Sequence, residues 1–478
     1  MIRRFILLLA FVSPLGAQVR QTGYVPGALT PHQLLTRDIY KQLIEINTGD
    51  KTGKVTPAAI AMAQRFRDAG IADSDIFVGG PRPEKHNVVA RIHGRPGSTR
   101  KPLLLLAHID VVEALKADWS ADLDPFVFTE RDGYYYGRGT ADDKAMAAIF
   151  VANVFRLKKE GYVPDRDVIV ALTADEEGGT ANGVEWLLEN HPKLVDAGVV
   201  LNEGGGGTTR GGKPFLNSVQ ATEKVFANIT LRATNRGGHS SVPRADNAIT
   251  SLADALAKVG RYSFPIQLNE VTRAFFTRTA DVESPEMGRA MKALVANPND
   301  AAAVRVVTSD PRYNSMLRTT CVATMLKGGH AENALPQLAE ANVNCRMFPG
   351  DTPEGTRDAL AKLVNDTTVQ VLSARDDRPK EPPTALLPEV MEPITRITHE
   401  MFGDIPVIPT MSTGATDSRY FRQRNVPAFG VSGIFSDPLV DARAHGRDER
   451  MRIQSFFEGQ EFLYRLTKAL ADKPAVTP

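Results

Sequence analysis

The apolar run Val168-Ile169-Val170-Ala171-Leu172-Thr173 leads into Ala174-Asp175-Glu176-Glu177-Gly178-Gly179. Two adjacent glutamates at the end of a strand point to different sides. One can hold a metal ion while its neighbour acts as a general base on an attacking water. A second group of this kind is His108-Ile109-Asp110, which ends the run Leu103-Leu104-Leu105-Leu106-Ala107. Residues i and i+2 of an extended chain share a face, so Asp110 can accept a hydrogen bond from one ring nitrogen and orient His108 toward a metal. Gly137-Arg138-Gly139-Thr140-Ala141-Asp142-Asp143-Lys144 is a glycine-rich turn that opens a helix. It lacks the glycine spacing of a nucleotide loop, and it puts two carboxylates where a phosphate would sit. One of the two can serve as a helix cap, which leaves Asp142 as the metal candidate. Glu203 ends the next strand, before Gly204–Gly207, and His445 lies in the polar loop Ala444–Arg450 before the last helix.

His108, Asp142, Glu177, Glu203 and His445 together offer nitrogen and oxygen ligands without thiolates. That set suits zinc, with cobalt or manganese as substitutes. One carboxylate shared by two ions would give a two-metal hydrolytic site, with the ions ~3.5–4 Å apart.

These residues need a scaffold, and the pattern supplies one. Asn87–Ile92, Leu103–Ala107, Val168–Thr173 and Gly198–Asn202 read as strands, with helices predicted over 142–159 and near 184–188. The alternation predicts an α/β unit with a mixed, mostly parallel sheet, and such sheets bind ligands at the carboxyl ends of their strands. After Gly204–Gly207 the texture changes. Val225–Leu231 alternates with period two, a helix follows at about 246–259, and a charged helical stretch runs from about 268 to 305. Strands at about 319–327 and 338–347 make a hairpin, and a helix at 354–365 and a strand at 368–372 close an α+β insert. Asp376–Pro383 reads as the linker back to α/β character.

A chain of 478 residues predicts two or more domains. Bases and acids nearly cancel, at 57 and 56, so neither nucleic acid nor a membrane surface is an expected partner. Met1–Arg4 is basic, Phe5–Val12 is apolar and Pro14–Ala17 offers a small-residue exit before Gln18, which reads as a cleavable secretion signal over 1–17. The mature protein is then expected to be secreted or periplasmic. The two cysteines, Cys321 and Cys345, flank no histidine cluster. A hairpin centred on Asn333 sets them opposite each other, where either a disulfide or two free thiols would fit.

The ordered set of motifs resembles the zinc amidohydrolase and exopeptidase family of glutamate carboxypeptidase, succinyl-diaminopimelate desuccinylase, aminoacylase-1 and carboxypeptidase S. The likeness covers nearly the whole mature chain, and the extra charged stretch near 268–310 is most like carboxypeptidase S-like members. The resemblance implies that His108 and Glu203 hold one zinc, Glu177 and His445 the other, and Asp142 bridges them. It implies Glu176 as the base and Asp110 as the partner of His108. It makes 216–376 a ferredoxin-like lid and dimerisation domain, set between catalytic parts at 25–215 and 377–478, with the charged stretch enlarging the region over the site. Within that lid, His239 of Gly237-Gly238-His239-Ser240-Ser241 would cross a homodimer to polarise the scissile carbonyl. Asn333 and Arg346 would hold the substrate carboxylate, and Gly414 and Thr416 belong to a glycine-rich substrate loop. Ala145 stands where many members have glycine; alanine is the better helix former, so no loss of metal is expected.

The expected activity is therefore di-zinc hydrolysis of an amide bond next to a free carboxylate, in short peptides or N-acyl amino acids. An aminopeptidase or dipeptidase on the same scaffold is the alternative. A catalytically inactive binding protein would be expected to have lost the base or a ligand, and all are present.

Overall fold

The computed structural model describes residues 24–373 and 381–472. The expected signal over 1–17 and most of the expected linker lie outside the described residues. The chain forms a ten-stranded mixed sheet and a separate four-stranded antiparallel sheet, with two short sheets beside them. In the large sheet the order is Ile76–Arg82, Lys85–Ile92, Val168–Thr173, Leu103–His108, Val199–Asn202, Ala428–Gly430, Lys213–Glu223, Gly207–Arg210 and Phe435–Ser436, with Val407–Ser412 paired to Lys213–Glu223. Leu103–His108 lies between two parallel neighbours, and every residue of it is buried, which explains its unbroken apolar run. Lys85–Ile92 has a similar apolar run but pairs antiparallel on both sides. Its sequence reports burial on two faces, and burial carries no information on strand direction.

Helix Lys144–Lys159 begins two residues after Asp142. Met146, Ile149, Phe150, Val154 and Leu157 are buried along one side, and so are Ala145, Ala147, Ala148, Val151 and Ala152 on the rest of the surface. The helix is enclosed by the sheet and by helices Pro31–Glu45 and Ile453–Ala471. Small alanines allow that close packing. Helix Pro31–Glu45 starts with a capping box, in which Thr30 accepts from the Gln33 amide and the Gln33 side chain accepts from Thr30.

The small sheet has the order Thr320–Gly328, Leu338–Met347, Val225–Thr234 and Val369–Ser373. Helices Ala248–Arg261 and Pro353–Val364 cover one face around Ile229, Leu231, Leu252, Val343 and Leu360. Cys321 pairs in register with Cys345, and the two form a disulfide. Lys224 is the single residue between Lys213–Glu223 of the large sheet and Val225–Thr234 of the small one. It is fully buried, and its ammonium donates to Ser315 O, Arg318 O and Thr320 Oγ1.

The charged stretch is four helices, Glu270–Thr279, Pro285–Ala296, Ala301–Val307 and Pro311–Met316. Asn269, Ser284, Asp300 and Asp310 cap them in turn. Their apolar faces, with Phe276, Met291, Leu294 and Val307, close over Met411 of the large sheet and over Phe348. Arg278 also donates to Val407 O at 2.7 Å. The stretch therefore docks on strand Val407–Ser412 of the large sheet.

Candidate metal centre and active site

His108 ends the buried central strand, and its ring is almost fully enclosed. The expected partner Asp110 meets it mainly through the backbone, with Nδ1 3.1 Å from Asp110 O and 3.6 Å from Oδ1. The Asp110 carboxylate is used further away: its two oxygens accept the amides of Glu176 and Glu177, at 3.2 and 3.1 Å. Asp110 thus ties the His108 strand to the turn that carries the acid pair. That turn is held from behind by Asp175. Asp175 is buried in the left-handed region at φ 65°, and it pairs with the buried Lys85. An aspartate keeps such a conformation only where its surroundings over-determine it.

The five expected ligands converge. His108 Nε2 lies 2.9 Å from Asp142 Oδ1 and 3.9 Å from Glu203 Oε1. His445 Nε2 lies 3.0 Å from Asp142 Oδ2 and 2.8 Å from Glu177 Oε1. The two oxygens of Asp142 therefore face two different histidines. Glu176 joins the first side, with ligand atoms of His108, Glu176 and Glu203 within 4.8 Å of one another. The contact between His445 and Glu177 lacks hydrogen-bond geometry, so the buried Glu177 Oε1 has no hydrogen-bond partner. Imidazole and carboxylate atoms converging in this way form the donor set of a divalent ion.

The electrostatics agree. Burial pushes Glu176 up to about 9, with Asp417, Glu177 and Asp110 adding to the push and His108 opposing it. Burial and the Asp142 charge drive Glu203 well above the carboxylate range. Burial would lower His108, but Asp110 and Asp142 outweigh it and hold the ring well above its ordinary value. Asp142 and Glu177 raise His445 to about 10. So many carboxylates in one enclosed space repel one another until positive charge enters, either as protons or as cations. The donor set and the orphaned oxygen fit divalent cations.

A cavity of about 410 Å³ opens beside Asp142, Asp143 and Glu203. Its other walls include Gly204–Gly207, Ser432–Ser436 and Asp441–Ala444. Gly205 makes close packing there possible, since a Cβ on it would stand 2.1 Å from Gly430 O.

The remaining expected residues lie elsewhere. His239 pairs with Ala334 in a two-residue ribbon, and Ser240 N donates to Asn333 O, so His239 and Asn333 are neighbours. His239 is exposed, and its Nδ1 accepts from Ser241 N at 3.2 Å. That bond requires an unprotonated Nδ1 and leaves Nε2 as the donor of the neutral ring. Arg346 sits on the small sheet with its guanidinium over Phe226. Among the described residues, none of these three shares a hydrogen bond or ion pair with the metal-binding cluster. Gly414 is exposed, whereas Thr416 is buried and gives both its donors to the Glu223 carboxylate, at 3.1 and 2.8 Å.

The sequence reading missed Glu449. It is fully buried, pairs with Arg138 at 2.6 Å, and accepts the amides of Gly139, Ala141 and Asp142. Both partners stood inside the quoted motif runs, and their opposite charges were the available signal. Lys144 was also passed over; it anchors the same turn to helix Pro31–Glu45 through Leu43 O and Ile46 O, both at 2.9 Å.

The family model described as Peptidase family M20/M25/M40 matches residues 104–469. The chain belongs to that family. This M20/M25/M40 peptidase is an enzyme of the metallopeptidase and amidohydrolase group, as the motifs implied. It is 30% identical to the human N-fatty-acyl-amino acid synthase/hydrolase PM20D1 over 397 residues, which cover 80% of this chain and 76% of that protein. It is also 30% identical to the probable carboxypeptidase S-like 2 of Dictyostelium discoideum, over 77% of this chain and 71% of that one. The fold matches that of the M20 family metallo-carboxypeptidase Sso-CP2 from Sulfolobus solfataricus, with a TM-score of 0.67 at 18% identity over 91% of this chain and 99% of that one.

Proposed function

We propose that this peptidase is a di-zinc hydrolase that cleaves an amide bond next to a free carboxylate, in N-acyl amino acids or at the C-terminus of short peptides. The observation that carries the reading is Asp142, whose two oxygens face His108 and His445 separately. His108 and Glu203 would hold one ion, Glu177 and His445 the other, and Asp142 both. When bound, the ions would act as Lewis acids on the scissile carbonyl and on the attacking water.

The chain's own residues would do the rest. Glu176, on the same turn as Glu177 but aimed at the His108 side, takes a proton from the attacking water at its carboxylate. It then gives that proton to the leaving amine nitrogen. His239, as the neutral ring with Nε2–H free, donates to the carbonyl oxygen as negative charge develops there. Asn333 and Arg346 hold the free carboxylate of the substrate. His239 would act from a second copy of the chain, in a homodimer made by the lid domains, as the resemblance implies. The exposed outer strand Thr320–Gly328, with Val322, Met325 and Leu326 unburied, supports that pairing. Export of the mature chain is part of the same reading, supported by the disulfide and by the basic, apolar and small-residue order of 1–17.

Elemental analysis and a substrate panel test the proposal together. About two zinc ions per chain are expected, with hydrolysis abolished by chelation and restored by zinc. Amidation of the substrate's free carboxylate should abolish most of the turnover. Protein that takes up one ion or none, or that cleaves carboxylate and amide forms equally, would overturn it.

A further inference from the structure

Glu449 and Arg138 are 311 residues apart in sequence and buried together beside the metal-binding cluster. Every acceptor site in use on the Glu449 carboxylate faces the turn that ends in Asp142. One oxygen takes Ala141 N at 2.7 Å and Asp142 N at 3.2 Å. The other takes Arg138 Nη1 at 2.6 Å and Gly139 N at 3.2 Å. Arg138 in turn reaches the loop of the late histidine, donating to His445 O at 3.4 Å and Gly446 O at 3.1 Å. His445 is in the left-handed region at φ 62°, a conformation that needs support from outside the residue. The pair therefore grips the backbone on both sides of the Asp142–His445 contact, and neither member is itself aimed at the ion positions.

We propose that Glu449, through Arg138, is a positioning residue that sets the backbone of Asp142 and His445 before any metal arrives. It is what makes the His445–Glu177 ion position tight. This rests on the two-ion reading above and adds to it a residue outside the ligand set. Glutamine is the informative replacement. It has nearly the same volume, but one of its two terminal atoms is a donor, and that donor would face two N–H groups whichever way the amide turns. Two of the four bonds are then lost, and the turn is free to shift. Because the ligands themselves are untouched, the effect should fall on metal affinity and not on the chemistry of a fully loaded site.

The test is competitive zinc titration of purified metal-free protein against a chromophoric chelator, with the melting temperature of the metal-free form measured alongside. Glu449→Gln should weaken one of the two zinc sites tenfold or more and the other much less. Turnover should recover in excess zinc with KM unchanged. A purely structural role would lower the melting temperature of the metal-free protein and leave both zinc affinities alone, and that result overturns the proposal. If Glu449→Gln does not fold, the double variant Arg138→Gln with Glu449→Gln removes both charges together, so neither is left unpaired, and it should show the same selective loss of zinc. Failure of both variants to fold assigns the pair to the fold alone and also overturns the proposal. Wild-type protein that binds fewer than two ions fails the two-ion reading, a different result from a variant that titrates like wild type.

Discussion

The metal-binding cluster and the small sheet are built on opposite terms. Several turns around the cluster are pinned from behind by a buried charge pair: Lys85–Asp175 under the acid pair, Arg138–Glu449 under Asp142, and Arg422–Glu223 near the Thr416 loop. Beside the small sheet, His239 of the two-residue ribbon is exposed with Ser241 as its hydrogen-bond partner, and on the sheet itself Arg346 stacks on Phe226. The candidate metal ligands are held by buried partners behind them. His239 and Arg346 have fewer restraints. Substitutions in the first region should therefore give sharp, residue-specific losses, and those in the second should give graded ones.

The largest effect is expected at Glu176. Glu176→Gln cannot accept the water's proton, and loss of a general base costs ~10²–10⁴-fold in turnover, here at the upper end because the same group also returns the proton. Zinc content should stay normal; a variant stripped of metal would make Glu176 a ligand. Glu177→Gln tests the other half of the pair. One zinc should bind much more weakly, and activity should recover partly in excess metal, as read by metal analysis and turnover together. If Glu177→Gln leaves both ions in place while Glu176→Gln loses one, the two roles are reversed.

In the two-residue ribbon, His239→Ala should lower turnover by ~10²–10³-fold with zinc content unchanged. Mixed with Glu176→Gln under subunit exchange, it should regain part of the activity, since one site in the mixed dimer would have both groups. No recovery in demonstrated heterodimers would confine His239 to its own subunit. The smallest effect on catalysis is expected at the disulfide. Replacing Cys321 and Cys345 by serine opens a loop with a sequence separation of 24, a loss of about 3 kcal/mol from the small sheet's stability. Denaturant unfolding should report that loss, and zinc content should not change.

The candidate ligands are legible in the sequence because His108, Glu177 and Glu203 follow apolar strands and Asp142 ends a glycine-rich turn; His445, in a polar loop, has no such local signal. Strand Val168–Thr173 is found with the expected ends, and the equal spacing to either side of Asn333 sets Cys321 opposite Cys345. What stayed hidden depends on partners far away in the chain. Glu449 and Arg138 each read as ordinary loop charges until the fold brings them together. The four-helix stretch has clear caps and apolar faces, but its target, Met411, lies some 95 residues beyond its last helix. The direction of Lys85–Ile92 was equally hidden, because apolarity records burial and not pairing.

Strand Ala428–Gly430 has one further consequence, for the order in which the molecule can be finished. It lies between Val199–Asn202 and Lys213–Glu223, in the middle of the large sheet, yet it comes from the last tenth or so of the chain. Until it arrives, the sheet is open at its centre, and Val199–Asn202 presents an unpaired apolar edge. His445 and Glu449 arrive later still. A nascent or truncated chain that stops short of them has a small sheet able to close by itself, and a catalytic half that is both inactive and prone to aggregate. Synthesis therefore completes the active site and seals the sheet in almost the same step.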